Sequence, residues 1–372
     1  VAQVLRLSGY STSCFGKWHL APSWEQSPSG PFDRWPTGMG FDRFYGILGA
    51  EASHWEPPVY DQTTPISPHL DRPGYHLTED LADQAITWVQ RQKASTPNRP
   101  FFCYFSTPAV HAPHHVAQEW IDKFKGQFDD GWDALREHIY KRQLELGVIP
   151  AGTALTQRPE QIPAWDDYPN EYKPVARRLM ETFAGFLAHT DAQIHRVLQA
   201  IEDLGEMDNT LVIYITGDNG ASGEGTVHGA WSAPSFQNGR HEDPEWLLAH
   251  MDDFGTDRCE NHFNVGWAWA LDSPFQWMKQ VASHFGGTRN AMAISWPRKI
   301  RDAGGLRTQF HHVIDIAPTI YEVVGITPPT HVNGIEQMEI HGTSMAYTFD
   351  DASSPSKRRS QYFEILGNRA IY

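Results

Sequence analysis

The chain has 372 residues, 40% of them hydrophobic and 20% charged, which excludes a disordered chain and suits one large folded domain or two smaller ones. A formal net charge of -15 argues against nucleic acid or an anionic membrane as the main partner, yet leaves room for a small anionic substrate in a locally positive pocket. Three cysteines, Cys14, Cys103 and Cys259, are too widely spaced for a disulfide framework or a paired-cysteine metal site, and no apolar run is long enough for a membrane-spanning helix.

Val1 to Gly9 reads as the tail of an amphipathic helix, followed by a short strand over Tyr10–Phe15. Gly16 then lets the backbone turn, and continued extension would put Lys17 and His19 on one side. That pair reads as an anion site or proton donor, or as a surface lysine beside a half-buried histidine. Residues 21–75 are rich in Pro, Gly, Trp and Tyr without periodicity, as in a loop that walls or lids a pocket. A helix is expected over Leu77–Lys93, with Thr78 as N-cap and Leu81, Ala85, Trp88 and Val89 on one face. Pro100 admits a buried strand at Phe101–Phe105, and residues 115–175 form an insertion carrying a helix over Trp132–Leu146.

Ile194, Val197, Leu198, Ile201 and Leu204 recur at helical spacing, and Gly205 suits the position after the last turn. The continuous apolar run Leu211–Ile215 has the composition of a strand buried on both faces of a parallel sheet. It stops at Gly217-Asp218-Asn219-Gly220, at the strand edge where open α/β sheets bind ligands. Asp218 and Asn219 carry hard oxygen ligands of the kind Ca²⁺ or Mg²⁺ takes, and the same tetrapeptide is good turn chemistry. Loop-like residues 221–275 follow and are expected to line the pocket. The many tryptophans suit either an aromatic core or a site for aromatic or sugar ligands. The fold class is α/β, with a mostly parallel central sheet flanked by helices. A polar break from Asp350 to Arg359 divides a main domain, 1–347, from the start of a small α+β subdomain, 348–372, with a strand around Tyr362–Leu366.

Gly9-Tyr10-x-Thr12-x-x-x-Gly16-Lys17-Trp18-His19-Leu20 resembles the second signature of the sulfatase family. Further family-like elements follow in family order. They are Phe101–Phe105 with Val110-His111-Ala112-Pro113, Asp208-Asn209-Thr210 leading to Gly217–Gly220, Phe285-Gly286-Gly287-Thr288-Arg289 before Ile294–Pro297, and Asp315–Ile320. The ordered set is arylsulfatase-like. It implies an alkaline phosphatase-like fold and hydrolysis of a sulfate ester, the partner being a small-molecule or carbohydrate sulfate. It also implies a divalent cation, Ca²⁺ or Mg²⁺, on Asp218 and Asn219, with Lys17 and Lys279 holding sulfate oxygens. His19 and His111 then hydrogen-bond the nucleophile or donate to the leaving group. Lys279 stands a few residues before Gly286-Gly287, where the family has its lysine, and is otherwise a solvated surface lysine.

The family nucleophile is a formylglycine made within Cys-x-Pro-x-Arg, or from Ser in some members, and this reading finds no such pentapeptide in the chain, none of the three cysteines having that context. The resemblance therefore implies a fragment, with the formylglycine and a pair of metal-binding aspartates upstream of Val1, a further portion beyond Tyr372, and no turnover by the isolated chain. Two other readings stay open. One is a phosphomonoester or phosphonate hydrolase of the same superfamily, and the other is a non-catalytic sulfate-binding relative.

Overall fold

The computed structural model describes residues 1–240 and 242–372. A short helix, α1 (Ala2–Leu7), leads through Gly9, whose φ is +93°, into β1 (Ser11–Lys17). The chain then lays down β2 (Arg43–Ile47), the small strands β3 (Val59–Asp61) and β4 (Thr64–Ile66), helix α2 (Leu77–Ser95) and β5 (Phe101–Ser106). These five strands form one sheet in the order β4-β3-β2-β1-β5. β1 runs parallel to both β2 and β5, whereas β2–β3 and β3–β4 are antiparallel. The fold is α/β around a central mixed sheet flanked by helices, so the mostly parallel sheet expected from sequence is parallel only at its core.

Alternation along β1 explains why that strand is central. Phe15 faces one core with Tyr45, Ile47, Leu81, Ala85 and Val197, while Cys14 faces the other with Trp18, Trp35, Phe41 and Phe44. Helix α2 lies on the first face. Its N-cap is His76, whose Nδ1 accepts from the Thr78 amide at 3.2 Å, in place of the expected Thr78.

Beyond β5 come α3 (Gln118–Ile121), α4 (Gly131–Leu146) and the 31-residue α5 (Lys173–Asp203). The expected helix near 192–205 is only the last third of α5. The first two thirds turn Val175, Ala176, Leu179 and Met180 into a separate core with Trp132, Trp165, Trp267 and Trp269. Many of the tryptophans are thus spent on packing, where large rings bury most area.

The apolar run at 211–215 does form a strand, β6 (Val212–Thr216), but not the doubly buried one expected. Among the described residues it pairs only with β7 (Ala291–Ser295), and antiparallel. Ile215 consequently stays 41% exposed. Composition signals a strand, whereas its neighbours are a tertiary matter. Phe285–Thr288 is a helical turn immediately before β7. Near the end, the expected strand is the first arm of a hairpin, Tyr362–Ile365 against Asn368–Ile371, and residues 353–360 contain no helix.

Candidate functional site

The parallel strands β1 and β5 end together, Gly16 opposite Ser106, and the residues that follow them carry the chemistry. Lys17 closes β1, and its carbonyl accepts from Ser106 Oγ at 2.7 Å. Trp18 is buried and donates from Nε1 to the Arg34 carbonyl at 2.7 Å, tying the 21–40 loop to this end of the strand. His19 does not continue the extended backbone as expected, because its φ is 50°, a left-handed conformation uncommon outside glycine. Such outliers cluster at functional sites.

His111 sits in the turn after β5. Its Nδ1 lies 2.7 Å from the Ala112 carbonyl, and its Nε2 lies 3.1 Å from Lys279 Nζ. A carbonyl only accepts and an ammonium only donates, so the ring is neutral with its proton on Nδ1. Glu51 Oε2 stands 3.6 Å from the same Nδ1. Burial pulls the His111 pKa below the ordinary histidine value, and the nearby Lys279 and Lys17 add to the shift. His19 is lowered as well, by burial first and then by Lys17, His111 and Lys279. Lys17 is lowered by burial, with Asp218 and Glu51 opposing and Lys279 reinforcing the shift.

The six residues singled out by sequence thus divide into two groups. Lys17, His19, His111, Lys279 and Asp218 lie close enough to act on one another's charge, although Lys279 is 168 residues from His111. Like charges gathered this way cost stability unless an anion offsets them. Asn219 is adjacent in the chain and half-buried, with its Nδ2 donating to the Gly220 carbonyl at 2.9 Å. Asp218 has no hydrogen-bond or ion-pair partner among the described residues and is exposed. Asp218 and the Asn219 amide oxygen are hard donors of the kind Ca²⁺ or Mg²⁺ takes, and two oxygens are fewer than the six or more that such an ion needs. No cluster of three or more His, Cys, Asp or Glu that could hold a metal exists among the described residues.

Two acidic residues escaped the sequence reading. Glu224 Oε2 accepts from Lys279 Nζ at 3.0 Å, and Glu51 stands beside His111. A pentapeptide was also overlooked, since Ser95-Thr96-Pro97-Asn98-Arg99 spells the serine form of the family's nucleophile motif. Its position rules it out. Ser95 ends α2, and Arg99 donates to the carbonyls of Gly9 and Tyr10, at the start of β1 and β5. That is the opposite end of the sheet from Lys17, about 20 Å away along a six-residue strand. The cysteines offer no nucleophile either. Burial lifts the Cys103 thiol to about 11 and that of Cys259 to about 12, and raises Cys14 further from reactivity.

A cavity of about 600 Å³ adjoins His19, lined also by Leu20, Ser23, Gln26, Arg34 and Gly49. Residues Ala21 to Ala50 of the 21–75 stretch supply most of this lining. By contrast, much of 221–275 packs into the tryptophan core, while its Glu224 reaches the site and buried His262 lies near enough to act on His111 and Lys279.

An arylsulfatase of Klebsiella aerogenes is 27% identical over 99% of this chain and 75% of its own length. A sulfatase of Schizosaccharomyces pombe, described as uncharacterized, is also 27% identical, over 88% of this chain. The chain spans 58% of that yeast relative. Among solved structures, Ps i-CgsB in complex with a neocarrahexaose superposes with a TM-score of 0.57 at 16% identity, covering 100% of this chain and 66% of that one. A structure in complex with its substrate D-glucosamine-2-N,6-O-disulfate gives a TM-score of 0.54 at 17% identity, covering 97% and 66%. At such identities the likeness is one of fold. The Sulfatase family model matches residues 1–326, and the chain belongs to the sulfatase family.

Proposed function

We propose that the site binds the sulfate group of an ester and takes part in its hydrolysis, the alcohol half of the substrate lying in the cavity beside His19. The observation that carries this reading is the convergence of Lys17, Lys279 and His111 at one strand end, with Lys279 Nζ 3.1 Å from His111 Nε2. Two ammonium groups provide fixed positive charge where the oxygens of a transferring sulfuryl group carry negative charge. Lys279 donates to His111 and Glu224, which leaves one N–H without a partner among the described residues for a sulfate oxygen.

His19 borders the cavity, so we assign it to the leaving oxygen. Its lowered pKa makes the protonated ring a strong donor to that oxygen. Asp218 and Asn219 would hold a divalent cation, Ca²⁺ or Mg²⁺, which when bound neutralises charge on the sulfate oxygens. The formylglycine nucleophile implied by the family would come from outside these 372 residues, in keeping with the inert cysteines and the misplaced Ser95 motif. Ser23, Gln26 and Arg34 suit a hydroxyl-bearing alcohol, and the carbohydrate complexes among the structural relatives support a sulfated sugar.

The test is turnover of nitrophenyl sulfate and nitrophenyl phosphate by the full-length protein and its Lys17→Met variant. The sulfate ester should be preferred, with kcat/KM falling about 10²- to 10³-fold in the variant. Preference for the phosphate ester would move the assignment to a phosphomonoester hydrolase. Binding of sulfate without turnover of either ester would leave a sulfate-binding relative.

A further inference from the structure

The segment that carries Lys279 is held in an unfavourable backbone. Trp277 and Gln280, on either side of it, have φ of 63° and 74°, and neither is glycine. Left-handed conformations of this kind persist only where surrounding contacts over-determine them. Three such contacts come from one loop. The Lys279 amide donates to the Ala221 carbonyl at 3.0 Å, Lys279 Nζ to Glu224 Oε2 at 3.0 Å, and Gln280 Nε2 to Glu224 Oε1 at 3.0 Å.

Glu224 is itself fixed. Ser222 Oγ donates to its Oε2 at 2.8 Å and accepts from its amide at 3.2 Å. The side chains of Lys279 and Glu224 are 18% and 16% exposed, so the pair is screened from bulk water far more than a surface ion pair. Both carboxylate oxygens are engaged by the strained segment, one by its charged side chain and one by the neighbouring amide. The result is a relay from Glu224 through Lys279 to His111 Nε2 and from His111 Nδ1 to the Ala112 carbonyl.

We propose that Glu224 is a positioning residue of the sulfate site: its carboxylate fixes the strained Trp277–Gln280 segment and aims the Lys279 ammonium at His111 Nε2. The inference rests on the reading of this cluster as a sulfate site, but its geometric content can be measured separately. Both carboxylate oxygens of Glu224 are taken by Lys279, Gln280 and Ser222, so its role is one of placement. It sets where the Lys279 charge stands and which nitrogen of His111 bears the proton.

The experiment combines ¹⁵N-imidazole NMR of His111 with calorimetric titration of inorganic sulfate, on the wild type, Glu224→Gln, Glu224→Ala and Lys279→Met. Urea midpoints confirm that each variant folds, and the near-isosteric Glu224→Gln covers failure of Glu224→Ala. In the wild type the Nε2 resonance of His111 should be that of an acceptor nitrogen. It should move in Glu224→Ala in the same direction as in Lys279→Met, and less in Glu224→Gln. Sulfate affinity should fall about tenfold or more in Glu224→Ala. An unmoved His111 signal in both Glu224 variants overturns the proposal. So does tighter sulfate binding in them, which would make Glu224 a competitor for Lys279. If the wild type binds no sulfate, the sulfate-site reading fails, and the NMR comparison still decides the role of Glu224 in placing Lys279.

Discussion

Gly16 packs its Cα so closely against the backbone carbonyl of Ser106 that a Cβ has no room, and its φ is +115°. The contact joins the ends of β1 and β5 at the point where both strands hand over to the candidate site. Glycine is required twice there, once for the backbone angle and once for the approach. Gly16→Ala is expected to lower stability by about 2–4 kcal/mol and to weaken sulfate binding with it. Urea denaturation checks this, and an unchanged midpoint would show that the strand ends separate at little cost.

The pentapeptide at Ser95 gives a second, opposite expectation. Arg99 Nε and Nη2 donate to the carbonyls of Gly9 and Tyr10 at 2.9 and 3.0 Å, so Arg99→Ala should lose about 1–2 kcal/mol of stability. Ser95→Ala should leave turnover by the full-length protein at the wild-type rate. A collapse of turnover in Ser95→Ala with the fold intact would reinstate the motif as a nucleophile.

These two cases mark what the sequence could and could not say. Lys17, His19 and Asp218 could be picked out as candidates because each follows a strand and a glycine, while their roles came only with the family-like motifs. Strand ends alone do not bring them together, because β1 and β6 lie in separate sheets. Glu224 was not legible, because a single acid in a loop has no periodicity and its meaning lies in contacts with Lys279 and Gln280, 55 and 56 residues away. The isolation of β6 from the central sheet was hidden for a related reason, since an apolar run reports burial and not partners. Ser95 shows the converse, a motif whose context contradicts it.

Metal binding yields a third expectation. If Asp218 and Asn219 hold a divalent cation, added Ca²⁺ should raise the denaturation midpoint, with the gain growing as the logarithm of concentration above the dissociation constant. Two oxygen donors make a weak site on their own. Asp218→Ala should abolish the gain. A Ca²⁺ response that survives Asp218→Ala places the ion elsewhere, and no response in the wild type at tens of millimolar, a range on the order of the weakest extracellular sites or beyond, removes the assignment for this chain.

Acid should destabilise the fold through histidines that the candidate site does not use. Burial, with the neighbouring His189 adding to it, holds His76 at about 3. Burial likewise brings His115 and His262 to about 4. His54 and His114 are lowered by burial and by the other histidines around them. In the unfolded chain these rings titrate near 6.5. Below that pH the unfolded state takes up protons that the folded state refuses, so stability is lost as pH falls from about 6.5 towards 4. Each ring contributes about 1.4 kcal/mol per pH unit in that window. Proton uptake measured on unfolding at pH 5.5–6.5 reports the histidine contribution less the proton released by buried Asp272, whose carboxyl is pushed up to about 8, so an Asp272→Asn background isolates the rings. Uptake near zero there would show that the rings are reachable by protons in the folded state.

The last expectation concerns the buried carboxylate of Asp315 and Arg358. Asp315 lies at the start of the helix Ile316–Val324 with no exposed side-chain surface. Burial alone would raise its pKa, but hydrogen bonds from Arg358 and the Thr343 and His312 amides, with His311 Nδ1 3.7 Å away, hold it well below the carboxylate range. Arg358 reaches it with both Nε and Nη2, and Nη1 donates to Gln361 Oε1 at 2.9 Å, next to the C-terminal hairpin. The hairpin has a second attachment, because the rings of Phe310 and Tyr372 stack with centroids 3.8 Å apart. Removing Arg358 strands a buried charge, so Arg358→Met should cost about 3–5 kcal/mol. Arg358→Lys keeps the charge, loses the two-pronged geometry and should fall between the two. Hydrogen exchange then locates the loss. Amides of Tyr362–Ile371 should lose protection in Arg358→Met before those of β1 and β5. Full hairpin protection in that variant would mean that the aromatic contacts of Phe363 and Tyr372 with Phe310 and His312 fasten the hairpin, with the ion pair serving only to settle the Asp315 charge.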